Sequence, residues 1–354
     1  MHHATLPPIR FGPRLTGPQE PVCIIAEAGV NHNGSLEMAK RLVVEARRQG
    51  ADCVKFQTFK AERVVTAMAA KAAYQQRLTD PAQSQLAMLK ALELGERDFA
   101  ALARCCQDEG ILFLSTPYSV EDADLLDAIG APAFKIASGQ AVELPFLAHV
   151  AAKGKPVLLS TGMCTLAEVA RAVETIRQAG NEQIILLQCT TNYPSAIEDA
   201  NVRAMVAMGQ AFECLAGYSD HAEGLAASLA AVALGACVLE RHFTLDRSLP
   251  GPDHTSSMEP AELGELVRLA RQTQLSLGSS RKAPCARELA NLPAMRRSLV
   301  AARDIAAGEV LDWSNLCFKR PAGGISGEQA WRVAGCTARM DIAADTRITF
   351  GHLA

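Results

Sequence analysis

The sequence predicts a (β/α)8 barrel followed by a small β-rich domain. Three observations carry this. An apolar run of strand length that ends in polar residues recurs along the chain, mostly with a helical stretch and a glycine before the next run. Eight such runs centre on Ile24, Val54, Phe113, Phe134, Leu158, Leu186, Leu215 and Leu239. Apart from a double interval between Val54 and Phe113, they are spaced as one strand plus one helix would be, the repeat of βα units. Near the C-terminal end, from Met295, the texture changes to short apolar runs split by turns.

The elements follow in order. Val22–Ala26 is a continuous apolar run that closes on Glu27, the form of a strand buried on both faces. Helical periodicity runs from Ser35 to Arg48 and stops at Gly50. Cys53–Phe56 is the next strand, carrying Lys55 and then Gln57. Segment 60–95 breaks the rhythm. It is polar, contains Tyr74, Asp80 and Pro81, and is too long for a plain loop, so it is expected to cover substrate on the catalytic face.

The rhythm then resumes. Gly110 precedes Ile111–Leu114 with Ser115-Thr116; Gly130 precedes Ala133–Ile136 with Lys135 and Ser138. Gly154 precedes Val157–Leu159 with Ser160-Thr161, and Gly180 precedes Ile184–Leu187 with Cys189–Thr191. Leu215-Ala216 leads into GYSDH at 217–221, Glu223–Gly235 reads as a helix with a glycine stop, and Val238-Leu239 leads into ERHFTLD at 240–246. Pro260–Leu277 is the last barrel helix, and Gly278–Arg287 is a basic stretch containing Pro284. The expected division is 1–280 for the barrel, 281–294 for a linker and 295–354 for the small domain, which is too small to be firmly stable alone.

Composition narrows the function. The chain of 354 residues has room for one barrel plus something small, and a hydrophobic content of 49% supplies the core. A net charge of −3 with scattered basic residues gives no nucleic-acid footprint. The eleven cysteines show no CxxC pairing and several lie in apolar strands, so buried thiols in a reducing cytoplasm are expected. The N-terminus lacks an apolar signal core, and the weakly polar run Leu225–Leu239 is too short to span a membrane.

The polar strand ends share one face, where such barrels keep their chemistry. They supply Glu27, Lys55, Gln57, Thr116, Lys135, Ser138, Ser160, Thr191, Ser219, His221 and His242. His221 and His242 end consecutive strands, with Asp220, Glu240 and Asp253 nearby. Two neutral imidazoles there can hold a divalent metal, leaving other positions to water and substrate, or can be ordinary strand-end residues. Two lysines among hydroxyls suit a phosphate or carboxylate; Lys135 could instead form a Schiff base, as in a class I aldolase. Glu27 can take a proton or a sugar hydroxyl, or cap the Asn31–Gly34 turn.

Ordered motifs along nearly the whole chain resemble the sialic acid synthase family. They are IAEAGVNHNG (25–34), VKFQT (54–58), SQLAMLKALEL (84–94), FLSTPY (113–118), FKIASG (134–139), LLSTGM (158–163), CTTNYP (189–194), GYSDH, ERHFTLD, GPDH (251–254) and KRPAGGI (319–325). The tail from about 295 resembles that family's antifreeze-like (SAF) domain. One departure stands in CTTNYP, where Thr191 occupies the place two before Tyr193 at which some members carry asparagine.

The resemblance implies a metal-dependent condensation of phosphoenolpyruvate with N-acetylmannosamine, giving N-acetylneuraminic acid and phosphate. The alternative acceptor is 2,4-diacetamido-2,4,6-trideoxymannose, giving legionaminic acid. It implies that His221 and His242 hold Mn²⁺, with Mg²⁺ or Co²⁺ as alternatives, and that Glu27 is the acid/base. Lys55, Thr116, Lys135, Ser138, Ser160, Thr191 and Ser219 match phosphoenolpyruvate contacts; Gln57, Tyr193, Asp253 and Arg320 match sugar contacts. It further implies a homodimer with exchanged small domains, Arg320 reaching the partner's site. A glycan- or ice-binding protein, or another phosphoenolpyruvate-condensing barrel acting on an aldose phosphate, competes with this reading.

Overall fold

The computed structural model describes residues 6–71, 76, 79–80 and 82–354, and the chain divides into two compact units, Met1–Gly278 and Ser279–Ala354. In the first unit a short antiparallel hairpin, β1 (Ile9–Phe11) and β2 (Arg14–Thr16), precedes eight parallel strands. These are β3 (Cys23–Gly29), β4 (Cys53–Thr58), β5 (Leu112–Pro117), β6 (Phe134–Ile136), β7 (Val157–Ser160), β8 (Ile184–Cys189), β9 (Leu215–Asp220) and β10 (Val238–His242). Their order is β5-β4-β3-β10-β9-β8-β7-β6, and β5 packs against β6 to close the ring. The result is the expected (β/α)8 barrel.

Strand periodicity explains how one sequence builds both core and site. Side chains alternate across a strand, so every second residue faces the barrel interior. Low in the barrel these are apolar: Ile25, Cys53, Leu114, Leu158, Leu187 and Val238 share one buried cluster. Two residues later on the same strands come Glu27, Lys55, Thr116, Ser160, Cys189 and Glu240, all buried. Apolar floor and polar ring are thus one period-two pattern read a step further. The other strand face packs on the helices in a second, larger cluster. Gly217 belongs to the interior row. A Cβ there would lie 2.6 Å from the Val238 carbonyl oxygen and 2.7 Å from Leu187, so only glycine fits.

The hairpin is an addition to the sequence expectation. Phe11, 1% exposed, joins the interior cluster, and Arg14 donates to Asp52 at 2.6 Å. The helix expected over Glu223–Gly235 runs only from Ala226 to Ala233. Gly224 has φ +74°, which holds the preceding residues in a turn and delays the helix start. Within 60–95 the described residues form the short helix Ala61–Val64 and the helix Gln85–Ala91, capped by Ser84; Tyr74 and Pro81 lie outside the described residues.

In the second unit β11 (Ser298–Ala301) pairs antiparallel with β12 (Leu316–Lys319), and isolated bridges and turns make up most of the rest. Leu299, Ile305, Leu311, Val333, Ile342 and Ile348 form its own core. The expected linker holds a helix, Ala286–Met295, begun by Glu288 accepting from the Cys285 N–H and containing Pro293. All eleven cysteines are free thiols. No helix among the described residues is long and apolar enough to cross a membrane.

Candidate active site

A cavity of about 800 Å³ opens at the C-terminal face of the barrel. Every barrel residue singled out from the sequence lines it, from Glu27 on β3 to Asp253 after β10. Arg320 belongs to the second unit, where it is exposed and its Nε donates to the Met295 carbonyl at 3.1 Å.

The floor of the cavity is a row of compensated charges. Glu27 and Lys55 face each other across the β3–β4 register at 2.7 Å, and Lys55 also donates to Thr116 Oγ1 at 3.0 Å. Lys135 pairs with Glu240 at 3.1 Å, and Glu240 accepts from Ser219 Oγ at 3.0 Å across the β9–β10 register. Burial works against the Lys55 charge, yet Glu240 and Glu27 hold its ammonium above the ordinary value. Burial also disfavours the Glu240 carboxylate, but Lys135 and Lys55 pull it down to about 2. Glu27 behaves differently: burial pushes it up against the pull of Lys55. One carboxylate stays an anion, and the other is tuned toward proton exchange.

In the sequence Glu240 reads only as a carboxylate near His221 and His242, not as one of the inward strand-end residues. It stands directly after the apolar pair Val238-Leu239 and within the strand, and the period-two frame was the signal that could have placed it inward. Gln140, which also lines the cavity, belongs to no motif.

The two imidazoles converge. Their ring centroids lie 5.4 Å apart, with the Tyr193 ring 4.2 Å from His221 and 5.5 Å from His242. His221 Nδ1 stands 2.7 Å from the Thr190 carbonyl oxygen. That oxygen can only accept, so Nδ1 carries the proton and Nε2 keeps a free lone pair. Burial opposes a charge on His221, but the Cys189 thiol, 3.8 Å from Nδ1, and the Thr190 carbonyl together raise its pKa. Burial, with His221 and Lys55 nearby, holds His242 far below its ordinary value, so this ring is neutral. Its buried Nδ1 has no hydrogen-bond partner among the described residues.

Such a pair fits a divalent ion: two borderline nitrogen donors, one with its tautomer fixed by a backbone carbonyl. Among the described residues no group of three His, Cys, Asp or Glu is arranged to hold a metal. The remaining ligands would have to be water and substrate oxygens.

On the β3 side the chain kinks around Gly29 (φ +53°), where the β3–β4 register shifts. A Cβ there would lie 3.3 Å from Gln57 Nε2, 3.4 Å from Glu27 Oε1 and 3.6 Å from Asp253 Oδ2, so these three groups meet over one glycine. Gln57 Nε2 donates to Glu27 Oε1 at 3.2 Å. Asp253 lies 4.0 Å from His242 Nδ1 and is pushed up to about 6 by burial and by Glu27. The loop carrying Asp253 is tied to the loop after β3: Asn33 donates to the Pro250 carbonyl at 2.9 Å, and Asn31 to the Phe243 carbonyl and Ser257 Oγ, each at 2.9 Å. His32 is structural, accepting from the Gly34 N–H at Nδ1.

Of the residues expected on the phosphoenolpyruvate side, Ser138, Ser160 and Thr191 stand on the wall across the ring from β3, while Lys55 and Thr116 stand beside Glu27. Ser138 Oγ accepts from the Gly162 N–H at 2.9 Å, and Ser160 Oγ is buried without a partner among the described residues. Thr191, at the departure from the family motif, has Oγ1 over Gly162. The place is filled by a hydroxyl where an amide would be larger.

Comparison with known proteins gives the context. Residues 42–282 match the NeuB family model and residues 296–354 the SAF domain model. The chain is 42% identical over 334 residues to the N,N'-diacetyllegionaminic acid synthase of Legionella pneumophila, covering 93% of this chain and 94% of that one. It is 46% identical over 305 residues to the enzyme of the same name from Campylobacter jejuni, covering 86% and 91%. Among solved structures, the N-acetylneuraminic acid (sialic acid) synthetase of Leptospira borgpetersenii in complex with citrate superposes with a TM-score of 0.73 at 34% identity, over 82% of this chain and 96% of that one.

Proposed function

This chain belongs to the NeuB family, and from that membership we propose that it condenses phosphoenolpyruvate with 2,4-diacetamido-2,4,6-trideoxymannose, giving N,N'-diacetyllegionaminic acid and phosphate. One observation carries the reaction class: two buried lysines and two facing imidazoles share one barrel mouth. The acceptor expected from the sequence, N-acetylmannosamine, gives way here. Identity is 42% and 46% to the two legionaminic acid synthases and 34% to the sialic acid synthetase.

The chemistry follows from the residues. Lys55 and Lys135, with Thr116, Ser138, Ser160, Thr191 and Ser219, hold the phosphate and carboxylate of phosphoenolpyruvate, fixing the enol carbon C3 toward the aldehyde. Glu27, Gln57, Tyr193 and Asp253 hold the open-chain sugar. C3 attacks C1 of the aldehyde, and the new alkoxide takes a proton, for which Glu27 with its raised pKa is the placed donor. Positive character then develops at C2, beside the Glu240 carboxylate that Lys135 and Lys55 keep ionised. Water adds at C2, and phosphate leaves by cleavage of the C–O bond. A divalent ion on His221 and His242, Mn²⁺ in our reading, would polarise the aldehyde as a Lewis acid.

Phosphate release from phosphoenolpyruvate, measured with Mn²⁺ and each sugar in turn, tests the choice. We expect kcat/KM at least about tenfold higher with the diacetamido sugar than with N-acetylmannosamine. A preference for N-acetylmannosamine would return the sialic acid reading.

We also propose that the enzyme is a homodimer in which Arg320 serves the partner's cavity on the sugar side. Arg320→Ala is then expected to lower kcat/KM for the sugar by about tenfold to a hundredfold while KM for phosphoenolpyruvate moves less than about threefold. Equal losses for both substrates would contradict that role.

A further inference from the structure

Gln140 lies in the 3-10 turn Ser138–Gln140 that follows β6. It is 5% exposed and lines the cavity, yet its Oε1 has no hydrogen-bond partner among the described residues. A buried amide oxygen left unbonded is costly, so the unmade bond points to a donor that a ligand brings.

The barrel order supplies its surroundings. β4 and β5 are neighbours, and β5 packs against β6, so the loops after these three strands adjoin around the rim. The loop after β4 carries Phe59 and Val64, and the nearby helix Gln85–Ala91 with its C-cap Leu92 adds Leu89. Phe59 and Leu92 are buried together with Val30, and Val64, Leu89 and Tyr118 pack on them. Phe59 meets the Tyr118 ring edge-on at 6.0 Å. Phe59, Val64, Leu89 and Leu92 all face the cavity that Gln140 lines.

A neutral amide and an apolar wall that line one cavity from adjoining loops complement a particular ligand chemistry. An acylamino group can donate its N–H to Oε1 and accept from Nε2, while its methyl and a neighbouring deoxy carbon lie on hydrocarbon. A hydroxymethyl or phosphate at that end of a sugar would lose water against these four side chains without a replacement bond.

Resting on the functional reading above, we propose that Gln140 and the wall of Phe59, Val64, Leu89 and Leu92 form the subsite that recognises the second acylamino group and the deoxy end of the acceptor sugar. They are specificity residues. The reacting atoms remain with Glu27, the lysines and the imidazoles.

Kinetics with the two sugars test this. Gln140→Ala should lower kcat/KM for 2,4-diacetamido-2,4,6-trideoxymannose by about tenfold to a hundredfold. N-acetylmannosamine has no second acylamino group and should lose less, so the preference ratio narrows at least about tenfold. Leu89→Asn, at a half-buried position, should narrow the ratio in the same sense by setting a polar group against the deoxy end, and it decides the matter if Gln140→Ala does not fold. Equal losses on both sugars, or no loss, overturn the subsite while the reaction stands. A wild-type enzyme that does not use the diacetamido sugar overturns the functional reading and the subsite together.

Discussion

His242→Ala should lower phosphate release from phosphoenolpyruvate at least about a thousandfold while the protein stays folded. Two features of the site set the size and the selectivity of the effect. Among the described residues the ring is one of two imidazoles lining this mouth and is held neutral by its burial, 5.4 Å from its partner, so no third imidazole replaces it. Its Nδ1 makes no hydrogen bond among the described residues, so removing the ring orphans no buried partner there, and the stability cost is that of a small cavity. Mn²⁺ binding by calorimetry should fall with the activity, and the melting temperature should move by only a few degrees. Substantial turnover by this variant without added metal would sink the two-imidazole site.

The second large effect is on stability as well as rate. Lys55 is 2% exposed and sits 2.7 Å from Glu27, with Glu240 also acting on its charge. Lys55→Met removes the cation and leaves buried carboxylate charge uncompensated, which typically costs about 3–5 kcal/mol. For a unit of this size that is a fall in melting temperature of roughly 10 °C. Phosphoenolpyruvate turnover should be lost as well, since the same ammonium is a proposed anion contact. Adding Glu27→Gln removes the stranded charge, so the double variant should regain part of the lost stability and none of the activity. A double variant no more stable than Lys55→Met would contradict charge compensation as the reason these residues occur together.

The barrel was legible because its information is local. Each strand is a short apolar run, each helix has a periodic face, and most turns carry a glycine at the stop. Ser35 caps the helix Leu36–Arg48, as its position before the periodic stretch suggests. Most of the polar ring was legible for the same reason: strand ends show as polar residues after apolar runs. The inward place of Glu240 and its pairing escaped because it lies inside its strand and its partner Lys135 comes far earlier in the chain, so the ion pair exists only in three dimensions. The hairpin escaped because such short strands flanking Gly12-Pro13 carry almost no period, and its anchor, Phe11 in the barrel interior, is a long-range contact. Gln140 belongs to no motif; an unmade hydrogen bond is visible only once the surrounding atoms are placed. The choice of sugar was illegible from strand ends because, in the proposed roles, the ring serves phosphoenolpyruvate or the shared part of the acceptor. The wall of Phe59, Val64, Leu89 and Leu92, where two acceptors would differ, is drawn largely from the 60–95 excursion, which reads in sequence as merely polar.

Whether this barrel mouth joins phosphoenolpyruvate to an amino sugar is tested most directly with phosphoenolpyruvate carrying oxygen-18 in its bridging C–O–P position. The enzyme is incubated with Mn²⁺ and 2,4-diacetamido-2,4,6-trideoxymannose, and the released phosphate is analysed by mass. C–O cleavage predicts sugar-dependent release of phosphate that retains the label, with a nine-carbon keto acid formed in equal amount. Unlabelled phosphate, or phosphate released equally well without sugar, would mean P–O cleavage or simple hydrolysis and would contradict the proposed condensation.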